Sequence, residues 1–220
     1  MRRVGKTVLS HTAWGGQITR SRGRNRAMST IVVMTSMLIL VLLAHVARTQ
    51  EMAVPVSIQV PLLMKVMSAD RNLAERSGSE LVIGVFYQPR FRASAATMEA
   101  FIEAAGSTLA SPIAGQPVRV LPVLIEGEPD WNALIVSNEL DVCYIAPLRA
   151  LGFADLLPAA QANQAITCTG VPEFVEAGLA IGFDSRGGKP QIVINIDAAR
   201  GEGIDFSSQL LKLARIVKKD

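Results

Sequence analysis

The chain has 220 residues, with 22 basic and 19 acidic side chains and a formal charge of +3. Eight of the basic residues (Arg2, Arg3, Lys6, Arg20, Arg22, Arg24, Arg26, Arg48) and no acidic ones lie in residues 1–50, so the rest carries fourteen basic against nineteen acidic side chains, about −5. This length suits one domain behind a leader, and an acidic domain is a poor nucleic-acid binder. Both histidines, His11 and His45, lie in the leader. Residues 51–220 therefore hold none, which removes Ser-His-Asp and Cys-His catalysis and histidine-rich metal sites.

Residues 1–29 are basic and aperiodic. Residues 30–47, TIVVMTSMLILVLLAHVA, have no charged side chain apart from a protonated His45. The run suits a signal-peptide core or a short spanning helix. The arginines from Arg20 to Arg26 place the N-terminus inside, so the domain is exported. Ala47 offers a cleavage position, but His45 is a poor residue two positions before it. Cleaved signal peptide and retained inner-membrane anchor both stay open, as does a start at Met28.

The domain opens with a helix over 55–74, with Val56, Val60, Leu63, Met64 and Met67 on one stripe. Pro61 fits only near a first turn, so the helix is expected to start late. Residues 81–87, LVIGVFY, read as a strand buried on both faces. A helix over 94–109 puts Met98, Ile102, Ala105 and Leu109 inward. Residues 118–125, VRVLPVLI, form a second strand, which Pro122 marks as edge or bulged. A short helix over 130–138 buries Trp131, Leu134 and Ile135. Residues 141–146 are a third strand, 147–157 a helix with Pro147 in its first turn, 164–169 a fourth strand and 172–177 a brief helical turn. A hairpin follows. In its first strand Leu179, Ile181 and Phe183 alternate with Ala180 and Gly182, in its return strand Ile192, Ile194 and Ile196 alternate with Gln191, Val193 and Asn195, and Asp184-Ser185-Arg186-Gly187-Gly188 supplies the turn. Residues 199–205, ARGEGID, read as a turn. Ser207 then caps a closing helix, with Phe206 and Leu211 as a staple and Leu210, Leu211, Ala214 and Val217 as its apolar stripe. Alternating strands and helices, then a hairpin, give an α/β three-layer sandwich: a mostly parallel sheet, a C-terminal antiparallel hairpin and a closing helix.

Chemistry is sparse. No Walker A or dinucleotide-binding glycine pattern occurs, so no cofactor is expected, and no metal site. Glu126, Glu128 and Asp130 follow a strand at the end where α/β ligands bind. Arg90 and Arg92 follow the first strand and suit an anionic ligand. A solvated loop is the simpler reading of both groups. Cys143 and Cys168 are an even pair in an exported domain, open either to a disulfide or to two buried thiols in strands. Nothing assembles nucleophile, base and oxyanion donor.

The C-terminal stretch resembles the YfiR family of small exported regulators. The residues that carry the resemblance are Gly178, Asn195 after the return strand, Ala198-Ala199, Gly203, and the run Ser207-Ser208-Gln209-Leu210-Leu211-Lys212-Leu213-Ala214. It extends over residues 56–217, most specifically at the C-terminus. It implies a periplasmic three-layer α/β domain, often a homodimer. It also implies a regulator that binds the periplasmic sensor part of an inner-membrane diguanylate cyclase and holds it inactive, with cysteine pairing as redox control. Two departures stand out. Leu140 occupies a position where many members carry a Cys, while Cys143 lies inside the strand. The hairpin entry is Ala177-Gly178-Leu179-Ala180-Ile181.

The expected function is therefore a non-enzymatic regulator acting by protein–protein contact in cyclic di-GMP signalling. The alternative is a periplasmic small-ligand-binding domain lined by Arg90, Arg92, Glu126, Glu128 and Asp130. An exported enzyme ranks third.

Overall fold

The computed structural model describes residues 52–108, 112–113 and 115–218. The expectations for the leader and for Leu109 lie outside the described residues. The described residues belong to the second of two compact units, Gln50–Asp220. Among them, no helix is long and apolar enough to cross a membrane.

In chain order the elements are α1 (Val56–Ser68), α2 (Leu73–Arg76), β1 (Leu81–Tyr87), α3 (Arg92–Thr108), β2 (Val118–Leu124), α4 (Trp131–Ser137) and β3 (Val142–Ile145). They continue with α5 (Leu156–Ala162), β4 (Ile166–Thr169), α6 (Pro172–Glu176), β5 (Ile181–Arg186), β6 (Lys189–Asn195), α7 (Ile196–Gly201), α8 (Ser208–Leu213) and β7 (Arg215–Val217). The seven strands form one sheet in the order β2-β1-β3-β4-β5-β6-β7. β1 to β5 are parallel, β6 turns back antiparallel to β5, and β7 runs parallel to β6.

Side chains alternate across the sheet and build a core on each face. On one face Ile83, Val85, Tyr144, Cys168, Ile181 and Phe183 meet Val60, Leu63 and Met67 of α1 and Phe101 of α3. On the other, Val82, Phe86, Cys143 and Ile145 meet Trp131 and Ile135 of α4, Leu156 of α5 and Phe174 of α6. Helices cover both faces, so the expected three-layer α/β sandwich is the observed one. β2 lies at one edge, and Pro122 is tolerated there because an edge strand leaves one side of its ladder open. The hairpin turn is a two-residue loop with Gly187 and Gly188 at φ 58° and 75°. Positive φ at both central positions matches the strand twist and favours glycine.

Five expectations are corrected. Helix α1 starts at Val56 despite Pro61, which sits inside it. The Pro55 carbonyl accepts from Ile58 N and Gln59 N, at 2.9 and 3.1 Å, and closes the first turn. An interior proline costs about 3 kcal/mol. Val60, Leu63, Val66 and Met67 are fully buried from the same helix, and burial returns roughly 1.5–3 kcal/mol each, which outweighs it. In α3 the buried stripe is Ser94, Thr97, Phe101, Ala104 and Ala105, with Met98 and Ile102 only partly covered. Phe101 sets this rotation by packing on Tyr144, ring centroids 4.4 Å apart.

The helix expected over 147–157 is absent. Residues 147–151 form an irregular connection, Ala150 adopts φ 54°, and the helical segment is α5. Gln88 holds the connection open: its Oε1 accepts from Arg149 N at 2.7 Å and its Nε2 donates to Arg149 O at 3.0 Å. The closing helix is cut short. Residues 196–201 are helix α7, which takes in the start of the turn expected over 199–205. The chain leaves α8 at Ala214 with ψ 152°, and Arg215–Val217 add as β7 beside β6. Two β-branched residues meet an open sheet edge there, and Arg215 is tied to Asp184 at 3.3 Å and Glu176 at 3.8 Å. Val217 is thus a strand residue and not part of a helical stripe.

Candidate functional site

The order in which strands are added to the sheet reverses at β1. β2 lies on one side of β1 and β3 on the other. The connections leaving β1 and β3 therefore diverge at the carboxyl ends and leave a crevice, the usual ligand position in an open α/β sheet. Here that crevice is a cavity of about 380 Å³ lined by Gln88, Pro89, Arg90, Phe91, Ile125, Glu126, Gly127 and Arg149.

Each wall has a local cause. Gln88 leaves β1, and its backbone N–H donates to Ser94 Oγ at 2.9 Å, which fixes the entry to α3. The Gln88 side chain clamps Arg149 from the β3 side. The Arg149 guanidinium then lies over the Phe91 ring, 4.1 Å from its centroid. Such a cation–π contact is worth about 0.5–1 kcal/mol at an exposed position. No ion pair among the described residues engages Arg90 or Arg149. The crevice thus presents two unpaired cations, one carboxylate, a ring and the apolar Ile125.

The structure brings together only part of the expected ligand loop. Arg90 and Glu126 line the crevice. Arg92 and Glu128 are exposed and do not. Asp130 caps α4, its carboxylate accepting from Ala133 N at 2.9 Å. Gln88, Phe91 and Arg149 were not singled out from sequence. Their signal was strand order: once β3 lies beside β1, the residues just after both strands converge.

The cysteines are free and buried, which is the second of the two readings left open by the sequence, two buried thiols in strands. Cys143 pairs in register with Thr167, and Tyr144 with Cys168. The two thiols stand one position apart on neighbouring parallel strands, so they point into opposite cores. Joining them would require turning one strand over. Burial, the leading cause, pushes both thiols upward, with the Glu202 charge adding to the effect. Both remain protonated and unreactive as thiolates.

The signature residues of the closing segment are mostly structural. Gly178 adopts φ 126°, and a Cβ there would meet Leu157 Cδ1 at 2.6 Å. Asn195 caps α7 by accepting from Ala198 N at 3.2 Å, and it donates to Val175 O at 3.3 Å. Gly203 turns at φ 82°. Ser207 caps α8 by accepting from Leu210 N at 3.4 Å. Leu210 is buried, Leu211 and Ala214 pack partly against the core, and Ser208 is exposed. Between Gly178 and Ser207 lies a residue that sequence reasoning missed, Glu202. It is fully buried and accepts from Thr167 N at 2.8 Å and Thr167 Oγ1 at 2.6 Å. Burial raises its carboxyl to about 8, against the lowering effect of those hydrogen bonds. Beside it Arg76 pairs with the buried Asp70 at 2.6 Å and donates to Glu202 O at 3.2 Å.

No curated protein matches the chain. Among solved structures, it resembles a conserved domain protein from Vibrio cholerae with a TM-score of 0.53 and 17% identity, over 75% of this chain and 60% of that one. It also resembles the ABC domain from Streptococcus pneumonia in complex with L-Trp, with a TM-score of 0.48 and 17% identity, over 74% and 62% of the two chains. A ligand-free, open substrate-binding protein with adhesive properties from Clostridium difficile gives 0.47 and 19%, over 68% and 58%. The chain thus spans about three fifths of the length of these structures. The first likeness supports the α/β fold. The YfiR/HmsC-like family model matches residues 75–215. That match runs from the end of α2 to the start of β7 and takes in both the crevice and the closing segment; the chain belongs to the YfiR/HmsC-like family.

Proposed function

We propose that the domain is an exported, non-enzymatic regulator that binds the periplasmic sensor part of an inner-membrane signalling enzyme, a diguanylate cyclase, and holds it inactive. The family match over residues 75–215 carries this reading. Residues 30–47 would deliver the domain to the periplasm or tether it to the inner membrane. Repression then needs only a surface that binds the inactive conformation of the partner better than the active one; a ligand shifts such an equilibrium by its difference in affinity and no more. The test is deletion of the gene and measurement of cyclic di-GMP, with co-purification of the membrane cyclase on the tagged full-length chain. A raised level and a recovered cyclase support the reading. An unchanged level with no cyclase recovered overturns it.

The crevice favours a second reading, a small-ligand-binding domain, because a cavity of about 380 Å³ at the β1 switch point holds two arginines that no ion pair among the described residues engages. Binding of a ligand raises the melting temperature by mass action. A small organic anion that raises it in the wild type and fails to do so in Arg149→Ala would support this reading. A full panel of such anions without a shift would count against it.

A further inference from the structure

The outer edge of the sheet is β7. It pairs with β6 through Val193–Arg215, Ile194–Ile216 and Asn195–Val217, and no described strand pairs with its other side. The outward main-chain groups of this strand are therefore open to a further strand. Two apolar side chains stand beside them, Leu213 at 72% exposure and Ile216 at 38%. Lys212 and Lys218 flank the strand and are exposed, as are Arg186 and Lys189 at the tip of the β5–β6 hairpin. No ion pair among the described residues engages these four. Arg215 alone is neutralised, by Asp184 and Glu176. In a domain of about −5, this edge is cationic and apolar.

Lysines on an edge also serve to repel unwanted pairing. That role accounts for the charges and leaves the exposed leucine and isoleucine without one. We infer that the edge formed by α8 and β7 docks an extended acidic segment of a partner protein as an added strand. Main-chain hydrogen bonds would supply affinity, the alternate apolar side chains of the segment would cover Leu213 and Ile216, and its carboxylates would meet Lys212 and Lys218. A second copy of this chain brings the same cations, so self-pairing is opposed. A lipid headgroup surface would answer the charge and leave the open strand unpaired. The inference rests on the regulator reading for the partner's identity, but not for the surface.

The test uses the full-length chain in detergent and a synthetic peptide of about ten residues alternating Glu and Val, a common strand length or longer. The peptide is expected to slow hydrogen exchange at those amides of residues 215–217 that point away from β6. The double variant Leu213→Glu, Lys218→Glu, altered only at exposed positions, should keep its melting temperature and bind the peptide about tenfold more weakly, as loss of an apolar contact and a rim charge implies. Equal protection by a Lys–Val peptide, protection by phosphatidylglycerol vesicles and not by the peptide, or no protection at all would each overturn the assignment. In cells the double variant should lose co-purification with the cyclase. If it still co-purifies like the wild type, the edge is not the docking surface and the regulator reading stands. If the wild type recovers no cyclase while the peptide still protects the edge, the regulator reading falls and the surface stands.

Discussion

Glu202 offers the sharpest test of the buried chemistry. Its carboxylate accepts two hydrogen bonds from Thr167. The Thr167 hydroxyl is oriented in turn because Ala180 N donates to its Oγ1 at 2.9 Å, which leaves its own proton for Glu202. These contacts tie the end of α7 to β4 and β5. Burial raises the carboxyl from its ordinary 4.5 to about 8. Each tenfold change in proton affinity corresponds to about 1.4 kcal/mol, so the protonated form favours folding over the charged form by on the order of 5 kcal/mol, before relaxation or water entry. For an acid raised on folding, this stability is fully present below pH 4.5 and is lost as pH rises through about 8. Glu202→Gln removes the titration while keeping the shape. Its amide cannot reproduce both acceptor contacts, so at pH 5 the variant should be about 1–2 kcal/mol less stable than the wild type. By pH 9 the wild type has taken on the cost of a buried charge, and the difference should shrink to zero or reverse. Urea unfolding at pH 5, 7 and 9 measures this. Asp141, also raised chiefly by burial, is present in both proteins and largely cancels in the difference. A gap that stays constant across the three pH values would refute the argument.

The remaining predictions concern the thiols and the closing segment. With both cysteines free and fully buried, a thiol reagent should label neither in the native state and both after denaturation without reductant. Fewer than two would contradict the opposite-face geometry. Gly178→Ala places a methyl against Leu157 at positive φ and should lower stability by about 2–3 kcal/mol, seen as a lower urea midpoint with unchanged slope. Asn195→Ala loses a cap and the bond to Val175 O, and it should lower stability by about 1–2 kcal/mol in the same assay. An effect within a few tenths would remove Asn195 from the structural account.

The architecture was legible because its signals are local. LVIGVFY reads as a strand buried on both faces, and all but its last residue is buried. Gly187-Gly188 names its own turn. Legibility failed where a distant contact overrides local preference. Residues 147–151 are apolar enough for a helix, but Gln88, about sixty positions away, captures the backbone of Arg149. Leu210 to Val217 continue a helical period, but the free side of β6 recruits Arg215–Val217 as a strand. The crevice was half legible for the same reason. Arg90 and Glu126 sit after adjacent strands and were singled out, whereas Arg149 joins them only through sheet order. Asp130 had the composition of a site residue and the position of a helix cap, and the cap is what the structure uses. The cysteines show the limit of counting: an even pair says nothing about face, and register alone separates them.

The closing segment shows why a family signature and a functional surface need not coincide. Gly178, Asn195, Gly203 and Ser207 each sit where the chain changes direction, and each has a conformational or hydrogen-bonding reason for its identity. Leu210 is core. Glu202, fully buried between them, locks the same segment onto β4. These residues determine that the chain crosses the sheet and presents α8 and β7 at its edge. All of these are buried or half-buried, and the exposed signature residues are Ser208, Gln209, Lys212 and Leu213 on α8. Selection then falls to the side chains that the scaffold leaves unconstrained: Lys212, Leu213, Ile216 and Lys218 on the edge, and Arg90, Glu126 and Arg149 around the crevice. Substitutions in the first group should change what the domain binds while leaving its melting temperature unchanged. Substitutions at Gly178, Asn195 or Glu202 should change stability first and binding only through it. A protein in which Gly178, Asn195 or Glu202 contacted the partner directly would show the opposite order, and urea unfolding read beside the binding of each variant distinguishes the cases.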